Sequence, residues 1–224
     1  MIDTPDESKL TRTKQRWAAE GRFLTGRQEG RQEGRRERAE GERLPPGQHL
    51  VRDWPVLDLG VQPDVALERW SLRVMGAVEE AVTLDWAGFM GLPQTESVSD
   101  MHCVTTWSRY DNAWRGVTVR DLLAVVRPHA AARFVVLHSH DGYVTNLPLE
   151  DFAAADALLA THWQGEPLTR AHGGPVRVVV PHLYLWKSAK WVQRIELSEG
   201  DRAGYWEENG YHMRGDPWTE QRYG

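Results

Sequence analysis

Apolar and polar positions alternate through Trp70, Leu72 and Val74, which predicts a strand with one buried face that turns at Gly76. Ahead of it, residues 54–60 read as a short extended lead-in, and residues 83–90 as a short helix with Asp85 near its cap, stopped by Gly91 and Pro93. Strand-like alternation then runs into Cys103 and sets its thiol at the end of a strand or in the loop that follows. Thr118 is placed to cap a helix whose apolar stripe is Leu122, Leu123, Val125 and Val126 and which Pro128 closes. Residues 134–137 predict a buried strand leading into His138, Ser139, His140, Asp141 and Gly142, where Asp-Gly signals a turn, and residues 143–147 return. The Ala-rich stretch 151–159 suits helix or strand. Residues 178–180 and 194–197 add two short strands. The segment 198–224, with Tyr205, Trp206, Tyr211, His212, Pro217 and Trp218, is expected to wrap over the domain. Strands and short helices interleave, so the expected class is α+β with mixed α/β architecture.

Charge marks where this pattern begins. Residues 1–43 carry 11 Lys/Arg and 9 Asp/Glu with few apolar positions, and 26–34 repeats Gly-Arg-Gln-Glu with a four-residue period. A glycine at every fourth position weakens a helix at each turn. Residues 1–43 are therefore expected to form a disordered charged tail, with a docking arm as the alternative. Residues 44–224, from Leu44-Pro45-Pro46-Gly47 onward, are expected to form one domain. That domain holds 16 Lys/Arg against 23 Asp/Glu, with no basic stripe of the kind nucleic-acid binding needs. No run approaches a transmembrane length and no apolar signal core is visible, so membrane insertion is not expected and a cytoplasmic location is.

Cys103 is the only cysteine, which excludes an internal disulfide and leaves an inert buried side chain, a nucleophile or a metal ligand. Its nearest candidate companions are His102, His138, His140 and His172. His138 and His140 lie two apart, so on an extended segment both rings would face one side. Neither HExxH nor CxxC occurs to mark zinc, and no protease signature surrounds the cysteine, although a Cys-His hydrolase stays open. Downstream, His172-Gly173-Gly174-Pro175-Val176-Arg177 and Lys187-Ser188-Ala189-Lys190-Trp191 gather donors suited to a phosphate, and the glycine pair would let backbone approach a bound group. A soft thiolate joined to such a cluster points to a metal carried on a phosphorylated cofactor.

From Trp54 to Leu197 the chain resembles the molybdopterin-binding domain of the sulfite oxidase family, especially its small single-domain bacterial members. The resemblance rests on Cys103-Val104-x-x-Trp107, Trp114-Arg115-Gly116-Val117 leading into Asp121-Leu122-Leu123, the His172–Arg177 run and Lys187-Ser188-Ala189-Lys190-Trp191. It implies mixed β-sheets with short helices and a molybdenum-molybdopterin cofactor whose metal Cys103 ligates. His172 and Arg177 would touch the pterin and its phosphate, and Ser188, Ala189 and Lys190 would hold the phosphate end. Ser139, Leu57 and Asp58 would make further cofactor contacts. Sulfite-oxidising members carry an arginine shortly after the cysteine, where this chain has Val104, Thr105 and Thr106 and reaches Arg109 later. The Cys-Val-x-x-Trp form is nearer to bacterial sulfoxide-reducing subunits. The implied activity is two-electron oxygen-atom transfer on a small sulfur oxoanion, sulfoxide or similar oxo substrate, fed by a separate electron-transfer partner. His138, His140, Asp141 and Tyr143 are candidates for the substrate mouth, where proton donors are needed. The alternatives are a non-catalytic molybdopterin-binding protein and the cofactor-free hydrolase.

Overall fold

A computed structural model describes residues 42–224, so the tail expected over 1–43 lies, but for Glu42 and Arg43, outside the described residues. Arg43 donates to Asp100 at 2.6 and 2.8 Å and to Asp111 at 2.6 Å. The strands are β1 (His49–Leu50), β2 (Ser71–Gly76), β3 (Val82–Asp85), β4 (Thr95–His102), β5 (Trp107–Thr118), β6 (Phe134–Ser139), β7 (Val144–Pro148), β8 (Leu158–Trp163), β9 (Glu166–Pro167), β10 (Arg177–Val179) and β11 (Val192–Ser198). The helices are α1 (Trp86–Met90), α2 (Val119–Val126), α3 (Leu149–Phe152) and α4 (Tyr205–Glu208). One sheet runs β1-β5-β8-β10, with β4 paired to β5 and β9 to β8; the other runs β3-β2-β11-β6-β7. Both are mixed: β1 is parallel to β5 and β11 is parallel to β2, while the other pairs are antiparallel. The α+β expectation holds.

The main core takes one face of the second sheet (Leu72, Val74, Val135, Leu137, Ile195, Leu197) and the apolar stripe of α2 (Val119, Leu122, Leu123, Val126). Thr118 caps α2 as its position predicts, its hydroxyl accepting from the Asp121 N–H at 3.1 Å. A smaller apolar cluster gathers Trp54, Met101, Cys103, Trp107, Trp114, Leu158, Leu168 and Val179. The cysteine therefore sits in a pocket of packing separate from the main core.

One local reading changes and one that stood open is decided. Residues 83–90 are not one helix: 82–85 pair with β2, and Asp85 ends that strand and caps α1, accepting from the Gly88 N–H at 2.7 Å. Val82 and Thr83 are β-branched, and cross-strand pairing decides their state. The Ala-rich stretch, open between helix and strand, divides: α3 ends at Phe152 and β8 begins at Leu158, paired with β5 and β10. The 12-residue β5 had no clear alternating signature, because Ser108, Asn112 and Gly116 are buried within it. The C-terminal segment does wrap back: Gly215 accepts from the Tyr184 N–H at 2.8 Å, and Arg214 donates to Asp151 at 2.8 and 2.9 Å. Burial opposes ionisation of Asp151, but Arg214 and His182 outweigh it and hold the carboxyl well below the usual range.

Gly116 is where β5 meets β8 most closely; a Cβ there would lie 2.0 Å from the Leu159 carbonyl oxygen. Gly116→Ala should force β5 from β8 and cost about 1–3 kcal/mol, read as a lower urea midpoint.

Candidate active site

Cys103 opens the hairpin turn between β4 and β5. Its N–H donates to the Trp107 carbonyl at 2.8 Å and its carbonyl accepts from the Thr106 N–H at 3.0 Å, with Thr106 at φ 75°. Gln48 also donates to that carbonyl, at 3.1 Å. The thiol is 5% exposed and lies 3.1 Å from the Thr105 hydroxyl. Burial pushes the thiol pKa up, while Thr105 and, through space, Arg222 pull it down. Among the described residues no histidine is bonded to the sulfur; His102 Nδ1 pairs with the Ser108 hydroxyl at 2.8 Å. A protonated thiol without an imidazole beside it does not suit nucleophilic hydrolysis.

The other candidates stand on three loops laced together. The His140 N–H donates to the Trp191 carbonyl at 2.9 Å, the Trp191 N–H to the Gly173 carbonyl at 3.2 Å, and the Gln193 amide to the Ser139 carbonyl at 2.8 Å. The lead-in segment joins them through Trp54, whose ring stacks on His172 with centroids 4.1 Å apart and whose carbonyl lies 3.1 Å from His172 Nε2. Trp54 and Cys103 belong to one apolar cluster, so packing through the lead-in segment links the thiol hairpin to the donor-rich loops. His102 forms a bridge to Tyr184, immediately before the turn Leu185–Lys187 that precedes Ser188, and so ties the hairpin to the last loop.

The glycine pair has a different use from the one expected. A Cβ on Gly173 would lie 2.8 Å from the Lys190 Cβ, and one on Gly174 would lie 2.2 Å from the Leu168 carbonyl oxygen, so both residues let the chain approach itself.

Arg177 is 3% exposed, and among the described residues its guanidinium donates only to backbone carbonyls, those of His172 at 3.0 Å, Ser188 at 2.9 Å and Val178 at 3.4 Å. Its Cζ sits 5.0 Å from the Trp54 ring. Burial lowers its pKa to about 9. Lys190 donates to the Ala171 carbonyl at 2.8 Å; burial, then the neighbouring Arg177, lower its pKa to about 8, against weaker support from Asp58 and Asp141. Among the described residues neither cation has a carboxylate within ion-pair distance. Ser139 Oγ and His140 Nε2 are buried without a hydrogen-bond partner. Two cations lacking an anion and two unanswered polar atoms on adjoining loops fit a polar, anionic group such as a pterin phosphate.

Ser188 and Ala189 are buried; the Ser188 hydroxyl accepts from the Val180 N–H at 3.0 Å and Ala189 contributes its carbonyl to the Val178 N–H at 2.8 Å. Asp58 holds its own loop, accepting from the Gly60 N–H and the Gln62 amide, while Leu57 is exposed. Asp141 is buried, which raises its pKa, and it accepts from the Tyr143 N–H at 3.0 Å. His138 and Ser139 part company: the two-residue strand period puts Ser139 on the face of Leu137, whereas His138 lies on the other face against Arg194 and Glu196. His140 is beyond the strand in the turn, so strand geometry does not align it with His138. The Tyr143 hydroxyl donates to the Trp186 carbonyl at 2.6 Å inside the main core. Arg109 is committed elsewhere, to the Arg52 carbonyl and the face of Trp163.

Two residues near the thiol escaped the sequence reading, Arg222 and Gln48. Arg222 donates to the Val104 carbonyl at 2.5 Å. Contacts between residues 55 and 118 positions apart leave no local pattern to find.

Residues 59–206 match the family described as oxidoreductase molybdopterin binding domain. The chain is 45% identical over 189 residues to the uncharacterized oxidoreductase YuiH of Bacillus subtilis strain 168, covering 84% of this chain and 96% of that protein. It is 28% identical over 154 residues to a putative protein-methionine-sulfoxide reductase subunit, YedZ1, of Azospira oryzae. It is 26% identical over 172 residues to the protein-methionine-sulfoxide reductase catalytic subunit MsrP of Campylobacter jejuni. These matches cover 68% and 67% of this chain, and 58% of each of those two proteins. The crystal structure of the sulfane dehydrogenase SoxCD from Paracoccus pantotrophus shares the fold, with a TM-score of 0.60 at 19% identity over 70% of this chain and 46% of that one. The chain belongs to the molybdopterin-binding oxidoreductase family of sulfite oxidase type, and it is a molybdopterin-dependent oxidoreductase.

The lowered Lys190 pKa has a testable sign. A lysine at about 8 in the folded protein and 10.5 unfolded binds more protons unfolded between those values. Cofactor-free protein should gain stability as pH rises through that window, and Lys190→Met should flatten the gain, both read by urea midpoints at stepped pH. Bound phosphate should flatten it too.

Proposed function

We propose that this protein catalyses two-electron oxygen-atom transfer on a small sulfur oxoanion, sulfoxide or similar oxo compound, with Cys103 as the protein's ligand to molybdenum. The carrying observation is that buried Arg177 and half-buried Lys190 have, among the described residues, no carboxylate within ion-pair distance, on loops linked through Trp54 to the only thiol. A phosphorylated cofactor supplies the missing negative charge. Arg177 and Lys190 hold its phosphate with the Ser188–Lys190 turn, while His172, Ser139 Oγ and the Leu57–Asp58 loop border its pterin. When bound, molybdenum gives the site a two-electron couple able to accept or donate an oxo oxygen. Cys103 gives up its proton on ligation, because the thiolate is the ligand. His140 and Asp141, beside Lys190 and the Ser139 turn, would be the groups that exchange protons with the substrate; burial lowers the histidine pKa and raises the aspartate pKa, favouring the uncharged form of each. His138 and Tyr143 are left out, one being on the opposite sheet face and the other bonded within the core.

Electrons come from a separate donor, in line with the naming of two relatives as reductase subunits. A cytoplasmic location is part of the same proposal and suits a lone thiol kept reduced; cell fractionation tests it. Among the described residues no helix is long and apolar enough to cross a membrane.

The test is elemental analysis and viologen-linked turnover on protein from a host that makes the cofactor. Molybdenum near one per chain, with turnover of methionine sulfoxide or sulfite, is expected. Molybdenum without any turnover would mark a carrier, and its absence would sink the proposal.

A further inference from the structure

The C-terminal segment crosses back to the thiol hairpin and is pinned along its course. Lys187 pairs with Glu207, Arg214 with Asp151, and Gly215 accepts from Tyr184. Tyr211 and Tyr223 form a bridge that closes the strap on itself, and the His212 N–H donates to the Arg222 carbonyl at 3.2 Å. The strap thus delivers Arg222 at a fixed position. Its Nη1 donates to the carbonyl of Val104, the residue after Cys103, and its Cζ stands 5.2 Å from the Tyr184 ring.

One of five N–H groups is used in this way. Among the described residues the others have no acceptor, and no carboxylate lies within ion-pair distance. Glu220 is close in sequence, and its carboxylate and Arg222 Nη2 both flank Gly47, yet the two do not pair. The guanidinium is only partly buried and acts electrostatically on the Cys103 sulfur. A planar fork anchored at one corner to the residue after a reactive cysteine keeps unused donors suited to an oxoanion.

We infer that Arg222 forms an anion-binding subsite beside Cys103, which takes the charged oxygens of a small oxoanion substrate and favours it over a neutral sulfoxide. This rests on the reading of Cys103 as the reacting centre and narrows its substrate class. Arg222 is a substrate-binding residue in this account, and the strap completes the site from the far end of the chain.

The test uses the full chain in cofactor-free and loaded form. In cofactor-free protein, Cys103 is alkylated in parallel with anionic iodoacetate and neutral iodoacetamide. The ratio of the two rates cancels changes in the thiol itself. Arg222→Gln keeps a donor for the Val104 carbonyl but removes the charge, and should lower the ratio roughly tenfold; Arg222→Lys should restore most of it. In loaded enzyme, Arg222→Gln should raise KM for sulfite by a similar factor and change KM for dimethyl sulfoxide little. An unchanged alkylation ratio in folded Arg222→Gln protein overturns the inference whatever the enzyme turns over. A loaded protein without molybdenum overturns the function proposed above instead, and leaves the ratio to decide the anion subsite.

Discussion

Cys103→Ser is expected to reduce oxygen-atom transfer on the order of a hundredfold or more, since even partners behind a metal ligand are worth 10–100-fold. A serine hydroxyl is harder than a thiol and keeps its proton in a position only 5% exposed, so it is a poor substitute for a thiolate on a soft metal centre. The fold should not change. The hairpin bonds to Trp107, Thr106 and Gln48 are made by the backbone of residue 103, and the loops with His172, Arg177 and Lys190 are laced by their own contacts. Pterin fluorescence should therefore persist while turnover falls and the melting temperature stays near wild type. Undiminished turnover would remove Cys103 from the metal.

The largest expected effect on stability is at Lys187 and Glu207. Both side chains are fully buried and 2.5 Å apart. Lys187 also donates to Asn146 and to the Met213 carbonyl, while Glu207 accepts from Trp186 and Thr145 and from the N–H of Gly204. Burial lowers the lysine pKa against the pull of Glu207. Glu207→Ala leaves a buried ammonium with no counter-charge, and a cost of about 3–5 kcal/mol is expected, read from urea unfolding. The double variant Lys187→Met, Glu207→Gln should lose clearly less than the two single changes added together, because it removes both charges at once and keeps an acceptor for Trp186. Simple additivity would show that the pair is not coupled. Since this network fastens α4 to β7 and to the Leu185–Lys187 turn, Glu207→Ala should also loosen the strap that carries Arg222.

Local chemistry carried far in the sequence. The cap at Thr118, the Asp141-Gly142 turn and the strand-then-thiol order at Cys103 are short-range features, and each is where its residues predict. Family likeness added the order of the His172, Arg177 and Lys190 segments. What stayed illegible depends on partners distant in the chain. β5 is held by neighbours on both sides, so it tolerates buried Ser108 and Asn112 that break its alternation. Strand period sets His138 and Ser139 on opposite faces, but the end of the strand, just before His140, is what separates His138 from His140. Arg222 lies in a polar stretch with no signal until the strap is folded against Val104.

Arg177 has one more implication. A cation bedded on carbonyls, with no carboxylate in ion-pair reach among the described residues, makes the unloaded protein the weaker form, and ligand binding to the folded state alone deepens its stability by mass action. Inside a cell, chains that miss their cofactor would open more often and meet proteases first. Steady-state abundance would then follow the supply of molybdopterin, making the amount of this protein a gauge of cofactor synthesis as well as of its own expression.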